Sequence, residues 1–369
     1  MNETCLDAHI HLWEYCLFHA LPSLASSSCL EEIESVMRGD TRGEWLLGVN
    51  FNQESIEEKQ IPDRFLLDRW FGDKPAVIVR SCLHLMIMNS QAMQRLGVYQ
   101  ESGLFLEADV FAMLNRLLPE LPCHPRDIVE RGWRQLQAEG YRRVIDMAMD
   151  KAKRGLFYQP DFYTVDWDLL DEALGFKIFL DGSLGARSAA LNAPYSDSPG
   201  SSGCLNYEDQ ALQRLIGRVH QRGKPVSCHA IGDRAVAQFL RVIKTTRHPL
   251  DRLEHVQVAT LAQLDEIARL DIAVCIQPCA SGELSWARQR VGEARLPSSY
   301  AWNLMRERGI RLLAGTDAPV DRVSPYYAAQ LADRQEGSHH LDYQYVIDLF
   351  SQSNWDFYGW EPGSASQVI

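Results

Sequence analysis

The feature that most constrains the fold is a regular alternation of short apolar runs and helical stretches after residue 175. The apolar runs lie at residues 176–180, 225–229, 253–256, 272–276 and 310–314. A helical stretch follows each of them along the chain. Because strands that are separated by helices pair in parallel, this alternation predicts a series of βα units.

Two further runs, at residues 6–10 and 143–147, bring the number of predicted strands to seven. The chain has 369 residues, which exceeds the roughly 250 that are typical of a single (β/α)₈ barrel and leaves room for an insertion. We therefore expect an α/β fold, a distorted TIM-like (β/α) barrel, whose eighth strand has no clear counterpart in the sequence.

The region between about residues 40 and 130 does not follow the rhythm of the barrel. It contains apolar runs at 45–50 and 76–79 and predicted helices near 89–96 and 107–118. We interpret residues 41–129 as an inserted α/β subdomain, and we assign residues 1–40 and 130–369 to the barrel.

Composition and charge restrict the partners of the chain. Hydrophobic residues make up 46% and charged residues 23%, the balance of a globular protein that can fill a large core. The formal net charge of −12 argues against nucleic acid and anionic membranes as partners. No apolar run reaches the roughly 18 residues of a membrane span, and the start has no basic segment of a signal peptide. Nine scattered cysteines favour reduced thiols in a cytoplasmic protein.

Polar residues recur at the carboxyl ends of the predicted strands. They are His9, His11, His229, His255 and Asp317. In a (β/α) barrel these ends form the catalytic face, where groups from different strands converge. The His-x-His pair alone also fits two structural histidines, but its coincidence with three more such residues favours a functional centre.

The spacing of His9 and His11 has a chemical consequence. Residues two apart on a strand point to the same side, so both imidazoles can bind one ion. Imidazole nitrogens suit zinc and similar divalent metals. Asp7 lies on the same face, and we expect it to orient a ring as a hydrogen-bond acceptor.

Lys177 lies inside the apolar run 176–180, where a buried ammonium group is costly. Three outcomes are open. The amine can pair with a carboxylate such as Asp181 or Asp317, it can lower its pKa and stay neutral, or it can react with CO₂ to give a carbamate. The carbamate would be an anionic oxygen ligand that is able to bridge two metals.

Several longer motifs carry a resemblance to a known family. They are DAHIHL at 7–12, FKIFLDGSLGARSAALNAPYSD at 176–197, CHAIGDRAV at 228–236, RLEHVQ at 252–257 and GTDAPV at 315–320. With these motifs the chain resembles the amidohydrolase superfamily, and within it the YtcJ-like branch, the amidohydrolase 3 family. The motifs follow the family order over residues 6 to about 360.

The resemblance implies a metal-dependent hydrolase with two divalent ions, zinc being the expected metal. His9 and His11 would hold one ion, and His229 and His255 the other. A carboxylated Lys177 would bridge the two ions, with a hydroxide between them. Asp317, a further metal ligand, would take the proton from that hydroxide and pass it to the leaving group.

Four residues are candidates for contact with the substrate. Gly182 and Ser183 belong to a turn that lets the backbone approach the substrate, and Arg187 either binds an acidic group or forms a structural ion pair. His84 matches the family position that reaches into the site from the insertion, where it would contact or polarise the substrate, and a surface histidine stays open as the alternative. We expect Asp233 to cap the helix that follows it or to brace its neighbour Arg234.

The chain departs from the family pattern in three respects. Full-length relatives carry a β-sandwich built from both terminal segments, and here we expect it to be absent or vestigial, because the chain starts almost on the His-x-His strand. Cys82-Leu83 replaces an Asp-Gly pair before the insertion histidine. The segment between Asp146 and Lys177 is short, and we expect the eighth strand to be lost there.

The expected reaction is hydrolysis of a C–N bond in a small amide, N-acyl compound or carbamate. Ester or lactone hydrolysis by the same centre stays open, as do isomerisation or decarboxylation at a single metal and a catalytically weakened metal-binding homologue. An exposed barrel face would favour a homodimer.

Overall fold

The computed structural model describes residues 4–40, 43–81, 83–106, 108–366 and 368. Internal packing divides this part of the chain into two compact units. The barrel unit contains the residues up to Leu12 together with Leu136–Arg154 and Gln159–Val368, and the second unit contains Trp13–Gln135 and Gly155–Tyr158. The domain boundaries near residues 40 and 130 stay a prediction.

The strands of the described residues are β1 (Cys5–Ile10), β2 (Leu46–Phe51), β3 (Ala76–Arg80), β4 (Leu85–Met88), β5 (Leu104–Leu106), β6 (Tyr141–Met149), β7 (Asp161–Thr164), β8 (Gly175–Phe179), β9 (Val226–Ala230), β10 (Arg252–His255), β11 (Ala273–Ile276) and β12 (Leu312–Ala314). The α-helices are α1 (Leu12–Ala20), α2 (Leu30–Gly39), α3 (Arg64–Phe71), α4 (Ser90–Leu96), α5 (Ala108–Leu117), α6 (Pro125–Ala138), α7 (Lys151–Arg154), α8 (Asp209–Gln221), α9 (Asp233–Ile243), α10 (Leu261–Arg269), α11 (Leu284–Val291), α12 (Trp302–Glu307), α13 (Pro325–Asp333), α14 (Tyr343–Asp348) and α15 (Asn354–Tyr358). A π-helical segment, Leu349–Ser353, joins α14 to α15.

The barrel unit is built around eight parallel strands. Their order is β1-β6-β7-β8-β9-β10-β11-β12, and every hydrogen-bonded pair of neighbours is parallel. All residues of β9, β10 and β11 are buried, as is usual for parallel strands whose two faces are covered. The predicted TIM-like (β/α) barrel is therefore confirmed.

The expectation that one barrel strand is missing is wrong. β7 spans Asp161–Thr164 and pairs with both β6 and β8. Its four residues, DFYT, begin and end with a polar side chain, so they form no apolar run from which a strand could be predicted. The short segment between Asp146 and Lys177 thus contains a strand.

The helices between the strands bury one face. In α9 the buried side chains include Val236, Phe239 and Ile243, which a spacing of three and four residues places on the same side of the helix. Asp233 is the first residue of α9 and makes no cap hydrogen bond, so the first of its two expected roles is wrong; its carboxylate accepts hydrogen bonds from the backbone and side-chain nitrogens of Asn192. Within the described residues, none of the helices has both the length and the apolar character to cross a membrane.

The first and last barrel strands meet at a seam that a distant side chain closes. Asn354, at the start of α15, donates to the carbonyls of Leu6 and Ala314 at 2.7 Å each. Its Oδ1 accepts the Ala314 amide at 3.0 Å. Asp7 adds a second link, because its carboxylate accepts the amide and the hydroxyl of Thr316. These bonds hold β1 and β12 side by side.

The seam continues beyond the ends of both strands. The Asp317 amide donates to the His9 carbonyl at 2.7 Å, and the His11 amide donates to the Ala318 carbonyl at 2.9 Å. Gly315 lies so close to β1 that a Cβ at this position would be 2.3 Å from the Cβ of His9. The seam therefore sets the spacing between the residues of β1 and those that follow β12.

The second unit contains a four-stranded sheet in the order β2-β3-β4-β5. β2 and β3 are parallel, whereas β4 runs antiparallel to both β3 and β5. Its apolar core includes Ile33, Phe51, Leu67, Ile78 and Ile87. This small sheet agrees with the predicted α/β insertion, although the sequence indicates only β2 and β3 and gives no signal for β4 or β5.

Candidate metal centre

The predicted metal ligands all belong to the barrel unit and lie in its strands or directly after them. They are His9 in β1, His11 after β1, Lys177 in β8, His229 in β9, His255 at the end of β10 and Asp317 after β12. Because the strands are parallel, their carboxyl ends open on one face of the barrel. The sequence predicts that these side chains converge on that face, and contacts between them would be the sign of it.

The imidazoles of the centre pack against one another and against Asp317. The ring centroid of His255 lies 5.0 Å from that of His9 and 4.6 Å from that of His229. The Nε2 atoms of His9 and His11 lie 3.2 and 3.3 Å from Oδ1 of Asp317. His9, His255 and Asp317 each offer one ligand atom, and these atoms lie within 4.8 Å of one another. Imidazole nitrogens and a carboxylate are a donor set that zinc binds.

Lys177 is an amine inside the barrel. Only 2% of its surface is exposed, and its Nζ has no hydrogen-bond partner among the described residues. Burial lowers the pKa of Lys177, although the carboxylates of Glu254 and Asp317 act in the opposite direction. A buried amine of this kind fits a centre in which lysine is neutral or modified better than one in which it is a free cation.

Asp181 contacts backbone amides and the ring of His229, whose Nε2 lies 3.5 Å from its Oδ1. Its carboxylate accepts hydrogen bonds from three amides at 2.8 to 3.0 Å, those of Ala190, Ile231 and Gly232. It thereby ties the loop after β8 to the loop after β9. Burial raises the pKa of Asp181 to about 7. Asp181 positions the loops around the centre, and an ion pair between Asp181 and Lys177, which was one of the open outcomes for Lys177, is not formed.

Two of the rings are oriented by side chains that lie next to the centre. The Nδ1 of His9 donates to Glu254 Oε2 at 2.6 Å, and the Nδ1 of His255 donates to Gln277 Oε1 at 2.7 Å. A hydrogen bond at one ring nitrogen fixes the tautomer and leaves the other nitrogen free to bind a metal. Both rings are thus held with Nε2 available as a ligand atom.

Glu254 belongs to a fully buried ionic network. Its Oε1 accepts from Arg252 Nε and from Ser227 Oγ, both at 2.6 Å, while Arg252 also donates to the carbonyl of Ala8 at 2.7 Å. Burial opposes the ionisation of Glu254, but Arg252 and His9 outweigh it and hold the pKa of Glu254 well below its ordinary range. The ring of His9 therefore faces a carboxylate that stays charged.

Three residues at the ends of β10 and β12 adopt left-handed backbone conformations that are uncommon outside glycine. The φ angles are 73° at His255, 47° at Val256 and 57° at Asp317. Such conformations are unfavourable for residues with a Cβ, and β-branched Val256 is an especially rare case. They cluster at functional sites in proteins, and here they turn His255 and Asp317 at the ends of their strands.

Comparison with known proteins assigns this centre to a family. A sequence model of the amidohydrolase family matches residues 6–359. The chain belongs to the amidohydrolase family. This match confirms the family that the sequence motifs indicate.

The relatives of this amidohydrolase agree in fold and in general chemistry. A Bacillus subtilis (strain 168) protein named as the amidohydrolase YtcJ is 29% identical over 388 residues, which cover 90% of this chain and 73% of that protein. The N-substituted formamide deformylase of Arthrobacter pascens is 23% identical over 388 residues, covering 87% of this chain and 71% of that protein. The crystal structure of an uncharacterized metal-dependent hydrolase from Pyrococcus horikoshii OT3 matches with a TM-score of 0.81 at 26% identity, over 100% of this chain and 84% of that chain. This amidohydrolase is accordingly a metal-dependent hydrolase.

Two predicted substrate residues of the amidohydrolase, Gly182 and Ser183, lie in the loop after β8. The Gly182 carbonyl accepts the Nε2 of His229 at 3.0 Å, and a Cβ at Gly182 would lie 2.1 Å from Ser188 Oγ. The Ser183 hydroxyl accepts the amide of Ala186 at 3.2 Å. This loop therefore adjoins the histidines, while its contact with a substrate stays a prediction.

The other two predicted substrate residues have different surroundings. Arg187 forms an ion pair with Asp197, with Nη2 and Oδ2 2.9 Å apart, and Arg290 contacts the same carboxylate. This contact agrees with the structural alternative for Arg187, and a substrate contact of Arg187 stays a prediction. His84 lies between β3 and β4 of the second unit, and its role stays a prediction as well.

Glu254 is a residue of the centre that the sequence interpretation misses. Asp7 was the expected acceptor for a ring, but its Oδ1 accepts the backbone amides of His9 and Thr316, so its role is to close the seam. The carboxylate that orients His9 comes from β10. A signal for it exists in the motif RLEHVQ, where Arg252 and Glu254 are two apart in a buried strand and so share one side of it.

Proposed function

We propose that this amidohydrolase cleaves a C–N bond of a small molecule, of the amide, N-acyl or carbamate type, with two divalent metal ions, zinc in our proposal. The observation that carries the proposal is the buried amine of Lys177, which has no hydrogen-bond partner among the described residues and interacts electrostatically with His9 and Asp317. Burial of an amine without a hydrogen-bond partner does not stabilise a protein. A role in the chemistry of the centre therefore explains the position of Lys177 better than a role in stability.

In our proposal the centre binds two ions. His9 and His11 would hold one ion, His229 and His255 would hold the other, and Asp317 would be a further ligand. When bound, two divalent ions lower the pKa of a water molecule towards ~7 and polarise the carbonyl that it attacks. Four imidazoles, a carboxylate and an additional anionic bridge supply both nitrogen and oxygen donors for such ions.

Lys177 would supply the anionic bridge as a carbamate. Because burial lowers the pKa of Lys177, its Nζ is more readily available as a neutral nucleophile than an exposed amine. Nζ attacks the carbon of CO₂, the new N–C bond forms, and one proton leaves to solvent. The product is a carboxylate, which removes the need to bury an ammonium ion.

Asp317 would move the proton of the reaction. The side chain keeps 15% exposure, so it can reach both the imidazole cluster and an incoming substrate. It would accept a proton from the attacking water and return it to the leaving nitrogen. Burial opposes the ionisation of Asp317, but the charge interaction with His9 and the contacts of its carboxylate with His11 and His9 outweigh it and hold the pKa of Asp317 well below its ordinary range.

The choice of a C–N bond is supported by a relative. The Arthrobacter pascens protein is by name a deformylase of N-substituted formamides. Cleavage of a C–N bond also needs a proton donor, because a nitrogen leaves more readily when it is protonated. Asp317 would be that donor.

A turnover screen tests the bond type. Zinc-loaded and metal-depleted protein are assayed against N-formyl and N-acyl amines, N-acyl amino acids, carbamates, esters and lactones. The proposal expects zinc-dependent release of an amine from at least one of the first three classes. Zinc-dependent turnover of esters or lactones alone would contradict the C–N assignment, and turnover that survives metal depletion would contradict the metal-dependent mechanism.

A further inference from the structure

The two metal positions of the proposed centre each contain one histidine whose Nδ1 is hydrogen-bonded, but the two acceptors differ in charge. The Nδ1 of His9 meets a carboxylate, Glu254, at 2.6 Å. The Nδ1 of His255 meets a neutral amide, Gln277, at 2.7 Å. The two contacts are nearly equal in length, so the charge of the acceptor is the main difference between them.

Glu254 is held as an ionised carboxylate, which accepts a stronger hydrogen bond from His9 than a neutral group would. Arg252 and Ser227 both donate to Oε1 of Glu254, which leaves Oε2 to His9. Arg252 and Glu254 are each 0% exposed, so water does not compete for these bonds. Hydrogen bonds to an ionised acceptor are roughly twice as strong as neutral ones, and a carboxylate acceptor raises the basicity of a metal-binding imidazole.

Asp317 is a second carboxylate that lies next to His9, in addition to Glu254. Its Oδ1 lies 3.2 Å from Nε2 of His9 and 3.3 Å from Nε2 of His11, which places a second carboxylate directly beside the first pair of histidines. On the other side of the centre, Nε2 of His229 contacts the backbone carbonyl of Gly182 at 3.0 Å, and the nearest carboxylate oxygen, Oδ1 of Asp181, lies farther away at 3.5 Å and also accepts the backbone amide of Ile231. The position of His9 and His11 therefore has two carboxylates at 2.6 to 3.3 Å from its imidazole nitrogens, whereas the carboxylate of Asp181 lies 3.5 Å from His229.

We propose that the two metal positions are unequal: the position of His9 and His11 holds its ion tightly, and the position of His229 and His255 releases its ion first. Glu254 and Gln277 are the positioning residues that set this difference, Glu254 through His9 and Gln277 through His255. The inference rests on the proposed function, because it needs two bound ions.

The test is the kinetics of zinc release to a chromogenic chelator. Wild-type protein is loaded with zinc, freed of excess metal by gel filtration and mixed with the chelator. The proposal expects two phases of one ion each, with rates that differ by about 10–100-fold, the effect of a lost second partner on metal affinity. Glu254→Gln should accelerate the slow phase towards the fast one, and the isosteric Gln277→Glu should retard the fast phase.

Ser227→Ala is the matched control. It removes one hydrogen bond to Glu254 Oε1 while the carboxylate and its bond to His9 remain. Both release rates should stay within about threefold of the wild type, because the charge beside His9 is unchanged.

Glu254→Gln leaves the buried Arg252 without its counter-ion, which is strongly destabilising, so circular dichroism must accompany the release data. If that variant does not fold, Arg252→Gln combined with Glu254→Gln removes both charges together and should show the same acceleration. Gln277→Glu provides an independent arm, since it leaves the Arg252–Glu254 pair intact.

Two ions that leave wild-type protein in a single phase would overturn the inference and leave the proposed function standing. Two phases whose rates change in neither Glu254→Gln nor Gln277→Glu would also overturn the inference and leave the proposed function standing. A wild-type protein that holds fewer than two zinc ions after loading would contradict the two-metal mechanism itself and the inference with it.

Discussion

Gly315→Ala is expected to damage the metal centre through the seam between β1 and β12. The new methyl carbon would lie 2.3 Å from Cβ and 2.7 Å from the amide nitrogen of His9. Carbon atoms pack at about 3.5–4.0 Å, so the approach is about 1.2–1.7 Å too close. The clashing atoms are the backbone nitrogen, the Cα and the Cβ of His9, which cannot move away by side-chain rotation. We therefore expect a loss of about 3 kcal/mol in the free energy of unfolding, the upper part of the usual range for overpacking.

The same displacement should reduce activity, because His9 would move relative to Asp317. A misplacement of about 1 Å near reacting groups can cost on the order of 10²-fold in rate. Urea denaturation, zinc content and turnover are measured side by side. Gly217→Ala is the matched control: Gly217 lies inside α8, a Cβ there meets nothing within 4 Å, and alanine should stabilise the helix by about 0.5–1 kcal/mol. A Gly315→Ala protein with wild-type stability and zinc content would refute the account of the seam.

Asn354→Ala should lower the free energy of unfolding by about 3 kcal/mol or more, because it leaves buried backbone groups of Leu6 and Ala314 without partners; a change below about 1 kcal/mol in urea denaturation would contradict this. Asp317→Asn should retain folding and lower kcat by about 10²–10⁴-fold through loss of proton transfer, and an unchanged kcat would exclude Asp317 as the proton carrier. Arg187→Gln should cost no more than about 1 kcal/mol, since its ion pair with Asp197 is partly exposed. If Arg187 also contacts substrate, the KM of carboxylate-bearing substrates should rise while that of uncharged ones stays constant, and equal KM values for both would assign it a structural role alone.

The barrel and the grouping of its polar residues follow from local sequence patterns. Alternating apolar runs and helical stretches predict parallel strands, and parallel strands bring their carboxyl ends to one face. That rule suffices to bring His9, His255 and Asp317 together although they are distant in the chain. The contacts between these side chains agree with it.

The features that escape the sequence are those in which a residue acts through a partner that no local pattern specifies. β7 has only four residues with polar ends, so periodicity gives no signal for it. The barrel is closed by Asn354, whose partner Leu6 lies 348 positions away. The motif RLEHVQ indicates that Glu254 is paired with Arg252 in a buried strand, but it does not indicate the bond from His9 to Glu254. Burial of Lys177 is predictable from its apolar neighbours, whereas the lack of a hydrogen-bond partner for its Nζ among the described residues becomes apparent only in three dimensions.

Zinc stoichiometry is the measurement that tests the central claim most directly. Wild-type protein and Lys177→Ala are loaded with zinc, freed of excess metal and analysed by mass spectrometry for metal per chain, with Lys244→Ala, an exposed lysine paired with Glu266, as the control. The account predicts about two ions per chain in the wild type and in Lys244→Ala, and fewer than two in Lys177→Ala together with loss of turnover. A Lys177→Ala protein that keeps both ions and full activity would contradict the bridging role of Lys177, and a wild type without zinc would contradict the metal centre.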